Sequence, residues 1–269
     1  MLGALLLSAG VMASGPTVGA LGAATMAQAR ERLGREAFVT GSPRCPVEAR
    51  RCFELAVHVV MEDEEPVGPP QWFARHVQQA NRLFAPIGVG FFVGSIAPVD
   101  PVFADTQTRR QRDEIGRHEH SLGVVHVFVV RRLANVDADG EVIRGVHWRD
   151  RADTSRRWII LSSIASPLVL AHEMGHFFGL PHSRYRTSLM NKSPHRDPPW
   201  SERIFVEQEL AIMRERRDQM LADGTLRAVR RRKGKRRKAV RRAVRRAPAS
   251  GSPAPEGRSR LGVDEAQAP

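Results

Sequence analysis

The segment HEMGHFFGLPH, residues 172–182, constrains this chain more than any other feature. His172 and His176 stand four apart, so on a helix their rings leave one face and can hold a metal ion between them. Glu173 follows the first histidine and reaches the metal position without ligating, the place of a general base for a metal-activated water. Gly179, three residues after His176, lets the helix end in a left-handed turn. The chain then doubles back and delivers His182 as a third ligand. Three imidazoles leave the fourth position open, which a catalytic zinc site requires. Two histidines and a glutamate on an otherwise apolar helix would be costly to bury without a metal.

The formal charge of +13 suggests a nucleic-acid binder, but its distribution excludes that for the fold. Thirteen of the 42 Lys and Arg lie between Arg227 and Arg246 with no acid among them, and the remaining 29 balance the 29 acidic residues. Two readings of this tail stay open. It is a solvated appendage held open by its own repulsion, or a tether to an anionic surface such as lipid, polysaccharide or nucleic acid. At the other end, residues 1–29 are apolar, rich in small residues and uncharged until Arg30, with a small-x-small site at Ala27-Gln28-Ala29. This reads as a signal peptide, and hence a secreted or periplasmic protein, with a membrane anchor as the alternative.

The chain therefore divides into residues 1–29, a short segment 30–52, a catalytic domain 53–222 and a basic, then Pro/Ser/Gly-rich tail 223–269. Within the domain Phe53–Met61 reads as a buried strand, and Pro69-Pro70 precede a helical pattern ended by Pro86-Ile87-Gly88. Val89–Val93 follows as a strand parallel to the first. A short helix is expected over 107–115, and Val124–Val130, the most apolar strand, in the sheet centre. Turn chemistry at 135–140 and the alternating Val142–Trp148 read as a hairpin, the only antiparallel element and the sheet edge. Trp158–Leu161 is a further strand. Ser166-Pro167 are expected to open the motif helix, with Ser166 as its cap, and a last helix to run from about Pro198 to Leu221. The fold class is α+β, with a mostly parallel, five-stranded twisted sheet, one antiparallel edge strand, the site helix and a C-terminal helix. No repeat is present, and a monomer is expected.

With these motifs the chain resembles the metzincin clan of zinc peptidases. The likeness rests on the long motif and on Ser188-Leu189-Met190-Asn191, which is similar to the methionine turn of that clan. Ser183, after the third histidine, is the residue type found there in matrixins. The resemblance implies a zinc-dependent endopeptidase acting on protein or peptide, with Met190 as an apolar floor under the three imidazoles. An extended substrate would pair with the edge strand near Gly145–Trp148, with Gly145 and His147 in contact. Lys192 stands where astacins and serralysins carry a tyrosine, and Tyr185, the only tyrosine, lies elsewhere. The rival reading is a catalytically silent zinc-binding or adhesion module, against which Glu173 argues.

Cys45 and Cys52 are the only cysteines. A disulfide is favoured, with free thiols and a zinc-blocking thiol in Pro43-Arg44-Cys45 as alternatives. Asp137-x-Asp139-Gly140-Glu141 reads as an Asp-Gly turn first and a calcium loop second. His118-x-His120 reads as a solvated loop rather than a second zinc site. His58, His126 and His147 read first as packing or surface residues in strands, and His195 as a residue at the border of the cleft.

Overall fold

The computed structural model describes residues 45–229, except 64, 118 and 194–196, together with Gln28 and Leu33. The expected signal peptide or anchor (Gln28 apart), Pro43-Arg44, His118, His195 and the basic run from Arg230 onward lie outside them.

In chain order the elements are β1 (Arg51–Glu62), the two-residue β2 (Glu65–Pro66), α1 (Pro70–Phe84), β3 (Val89–Val99), β4 (Asp105–Thr106) and α2 (Arg109–Arg117). There follow β5 (Val125–Val130), β6 (Arg132–Leu133), β7 (Gly145–Arg149), β8 (Arg157–Ser162), α3 (Val169–Phe177) and α4 (Glu207–Ala222). The fold is α+β. Its long strands are parallel from β3 through β1 and β5 to β8, and β7 closes the row antiparallel to β8. β5 lies centrally and β7 at the edge, as the apolar pattern and the alternation require.

Two expectations about pairing are corrected. The edge strand does not form its hairpin through the 135–140 turn; its partner is the next strand, His147 opposite Ile159 and Trp148 opposite Trp158. The 135–140 turn closes only a single bridge, Ala134 to Val142. Nor is β7 the only antiparallel element, since β2 folds back on the end of β1. Two-residue strands leave no periodicity to read, so β2 and the parallel β4–β6 pair escape sequence patterning.

The strands alternate between two cores, because successive side chains leave a strand on opposite faces. Val125, Val127, Val129, Ile159 and Leu161 join α1, α3 and α4 on one face. Phe128, Val130, Trp158 and Ile160 meet Ile115 of α2 on the other. α1 buries the expected positions Phe73, Val77, Ala80 and Phe84. The folded domain also runs past residue 222: Leu226 is buried, bridges to Gly123, and Val229 donates its N–H to the carbonyl of Cys52.

Cys45 and Cys52 form a disulfide, with their Cα atoms 5.8 Å apart. The bond secures the segment entering β1. Intact-mass measurement of the full chain under non-reducing conditions is expected to show a two-hydrogen deficit; two free thiols would contradict the pairing.

His58 and His126 are packing residues on the α2 face, buried to 5% and 2% exposure, with His58 Nε2 3.0 Å from His126 Nδ1. Burial, and then their proximity, hold the His58 pKa at about 4; burial, then His120, does the same for His126. In the unfolded chain both return to about 6.5. Between these values the unfolded state binds more protons, so stability is full above the upper value and is lost as pH falls through the window. The midpoint of urea unfolding is expected to drop clearly between pH 7 and pH 5, and a flat midpoint would contradict this.

Candidate active site

α3 carries the motif on the face of the sheet that also packs α1 and α4. It begins at Val169 rather than at Ser166, and Leu168 at its N-cap supplies no side-chain bond. Ser166 is used elsewhere: its carbonyl accepts the Val169 N–H, and its hydroxyl accepts from Trp200 Nε1 at 3.2 Å. The helix ends as expected. Gly179 has φ +91°, its N–H donates to His176 O, and the Leu180 N–H reaches back to Gly175 O. This pair of bonds is a Schellman closure, and a residue with a Cβ would be strained at Gly179.

The turn brings the three histidines together. The ring centroids of His172 and His176 are 4.9 Å apart, those of His176 and His182 4.7 Å, and those of His172 and His182 5.6 Å. One ring nitrogen of each lies within 4.8 Å of the others, the only such cluster of metal-ligating residues among the described residues. His172 Nδ1 is 2.8 Å from the carbonyl of Leu189, and His176 Nδ1 is 2.7 Å from that of Leu180. A carbonyl only accepts, so each Nδ1 carries the hydrogen and each Nε2 presents a lone pair. Burial lowers all three imidazole pKa values, that of His172 to about 4, so the ligands are neutral at physiological pH. The donor set fits zinc: three neutral imidazoles converge, two of them oriented by carbonyls, and among the described residues no fourth protein ligand joins them.

Glu173 is buried at 6% exposure, and its Oε2 accepts the main-chain N–H of His147 at 2.8 Å. Burial pushes its carboxyl up to about 8, opposed by that N–H and by the Arg112 guanidinium. The structure thus places His147 beside Glu173 through its backbone. Its imidazole packs edge-on against Phe177 at 5.7 Å and is neutral, its pKa held near 3 chiefly by burial. The His147 N–H that an extended substrate would have met is occupied by Glu173. Gly145 lines the cleft and touches α3: a Cβ there would sit 2.6 Å from Val169 Cγ1.

Met190 is fully buried beneath α3, and Gly175 is what allows it: a Cβ at Gly175 would lie 2.5 Å from Met190 Sδ. Ser188 Oγ accepts the Met190 N–H at 2.9 Å and donates to Glu209 Oε1 at 2.7 Å. Glu209 Oε2 in turn accepts the Val206 N–H at the start of α4. The C-terminal helix therefore anchors the turn whose Leu189 carbonyl orients His172. The expected continuous helix from Pro198 is interrupted for the same reason. After a single 3₁₀ turn at 200–202 the chain runs extended, where Ile204 O accepts the Leu189 N–H and Arg203 bonds Asn191 O at 2.6 Å.

Beside His172 and Glu173 opens a cleft of about 650 Å³, bounded by the approach to β7, by Asn191–Ser193 and by Trp200 and Arg203. Gly175, Glu209, Arg203, the His147 N–H and the bonding of the Ser188 hydroxyl escaped sequence reasoning. Only Gly175, a glycine within a helix, leaves a trace there. Tyr185 is exposed on the loop after His182. The 137–141 segment is a turn: Asn135 and Glu141 bond each other, and Asp137 pairs with Arg109. That arrangement commits two of the three carboxylates of the segment, Asp137 and Glu141, to protein partners. His120 stacks near His126 at 5.5 Å and joins no described metal cluster.

Three convergent imidazoles, a buried glutamate beside them and a methionine turn below, on a mostly parallel sheet, are the arrangement expected of a metzincin-like zinc metallopeptidase site. Within that class the likeness is to the matrixins, whose family model matches residues 134–199 of this chain. No curated protein matches it. Among solved structures, the archaemetzincin of Methanopyrus kandleri is 14% identical with a TM-score of 0.44, covering 64% of this chain and 97% of that one. Metalloproteinase-II from Bacteroides fragilis is 14% identical with a TM-score of 0.45, covering 70% and 60%. A zinc-dependent peptidase from Methanocorpusculum labreanum is 16% identical with a TM-score of 0.34, covering 58% and 99%.

Proposed function

We propose that this chain is a zinc-dependent endopeptidase that hydrolyses peptide bonds with Glu173 as general base. The observation that carries the reading is the Glu173 carboxylate, held by the His147 N–H beside three imidazoles that leave room for water and substrate. His172, His176 and His182 would hold the zinc, which when bound supplies Lewis-acid activation of a water and of the substrate carbonyl. Burial alone would leave the Glu173 carboxyl largely protonated near neutral pH. A divalent cation held at the three imidazoles would favour its ionised form. Its Oε1 is then placed to take the proton of the attacking water and to pass it to the leaving amine. The His147 N–H fixes the other oxygen, so the carboxylate meets the water in one orientation. A purely structural zinc site has no use for such a base, which disfavours the silent module.

The reading extends to location. A disulfide at the domain entrance suits an oxidising compartment, in keeping with export directed by residues 1–29. No helix among the described residues is long and apolar enough to cross a membrane. The basic tail would hold the enzyme near an anionic surface without entering the chemistry. The test is digestion of a proteome-derived peptide library by the purified full chain. Internal cleavages that stop on adding a chelator and return with zinc are expected; a zinc-loaded protein that cleaves nothing would overturn the reading.

A further inference from the structure

The cleft beside the catalytic pair carries an uneven charge. Arg144, Lys192 and Arg203 line it, and the only carboxylate among its lining residues is Glu173. Glu173 is turned to the His147 N–H and forms no ion pair with any of the three among the described residues. Arg203 is a fixed part of the wall: 3% exposed, bonded to the carbonyls of Asn191 and Ser193, its guanidinium 5.4 Å from the centre of the Trp200 ring. Lys192 is exposed two residues after Met190. Arg144 is exposed just before the edge strand, and its carbonyl accepts the Ser162 N–H. Beyond His172, the rest of the lining is apolar, from Val142, Ile143, Ile164, Val169 and Trp200, apart from Gly145 and the polar Asn191 and Ser193.

From this we propose that the cleft selects an acidic side chain, glutamate or aspartate, at a substrate residue flanking the scissile bond. The inference rests on the peptidase reading and names its substrate class. The cleft adjoins His172 and Glu173, so the side chain entering it belongs to a residue next to the bond cut. The methylenes of such a side chain pack against Val169 and Trp200 while its carboxylate meets the Lys192 ammonium and the Arg144 guanidinium at the rim, with the buried Arg203 adding positive charge to the wall behind. A lysine or arginine would bring a fourth positive charge beside the zinc and be rejected. A neutral isostere such as glutamine would fill the space without the attraction.

The zinc-loaded full chain is first used to map cleavage sites in a peptide library, and acidic residues are expected to be enriched at one flanking position. Three matched peptides then carry Glu, Gln or Lys at that position. Expected is a kcat/KM at least tenfold higher for Glu than for Gln and at least a hundredfold higher than for Lys, with the Glu advantage shrinking as salt is raised. Lys192→Glu, at an exposed position, is expected to keep its zinc while cutting the Glu-over-Gln ratio at least tenfold and improving the Lys peptide. Binding of the same peptides to zinc-loaded Glu173→Gln protein, read by tryptophan fluorescence, is expected to follow the same order. Cleavage with apolar or basic preference, or a ratio unmoved by Lys192→Glu, overturns the inference and leaves the peptidase reading standing. A zinc-loaded chain that cuts no peptide removes that reading and this inference together.

Discussion

Replacing Glu173 by glutamine is expected to leave a folded, zinc-competent protein whose peptide cleavage is at least ~10²-fold slower than wild type. The size of the effect follows from two roles vested in one group: the carboxylate removes the water proton and later supplies the leaving amine. Glutamine keeps the volume, and its carbonyl oxygen can still accept the His147 N–H that Glu173 Oε2 now accepts at 2.8 Å. Its amide has no useful basicity. The three imidazoles are oriented by the carbonyls of Leu189 and Leu180 and by the turn at Gly179, none of which involves Glu173, so zinc content is expected to stay at the wild-type level. Steady-state rates and metal analysis on the same preparation check both halves. A Glu173→Gln protein that cleaves as fast as wild type would place the activity elsewhere.

The second large effect is on the metal. His172→Ala, His176→Ala and His182→Ala are each expected to lose zinc almost completely, because each removes one of only three protein donors. The loss also registers in stability. Zinc binds the folded site and not the open chain, so at a hundredfold excess over its Kd it adds about 2.7 kcal/mol to unfolding of the wild type. That increment should vanish in all three variants and survive in Glu173→Gln. His182 is the sharpest of the three, since it lies outside the helix and is delivered only by the turn after Phe178. Full zinc occupancy in His182→Ala would make another histidine, such as His195, the third ligand.

The site was legible in sequence wherever residue type and spacing alone determine geometry. The i, i+4 pair His172 and His176 and the helix stop at Gly179 needed no tertiary knowledge, whereas the place of the buried Met190 was implied only by the resemblance to the metzincin clan. What could not be read depends on long-range contacts. The N–H of His147 holds Glu173 across 26 residues, and every non-proline residue has an N–H, so nothing in the chain marks this one. Glu209 serves the methionine turn through Ser188, yet in sequence it is one acid among several near the start of a helix. Ser166 and Pro167 have the chemistry of a helix start but lie one turn too early, because the hydroxyl is taken by Trp200. The long helix expected from Pro198 breaks where Arg203 turns inward, a tertiary demand that outweighs local propensity. The sheet was legible in its five long strands and in its central and edge members. The pairing of the edge strand was not, since an alternating strand carries no label for its partner.

One titration tests the central claim most directly. The full chain is stripped of metal, zinc is added in small steps, and bound zinc and the rate of peptide cleavage are measured on the same samples. A zinc site built from His172, His176 and His182 with Glu173 as base predicts no cleavage at the start and a rate that rises in proportion to bound zinc. It predicts a break at one zinc per chain, with no such rise in His182→Ala. Cleavage that is already present in the stripped protein, or that does not follow the bound zinc, would contradict it.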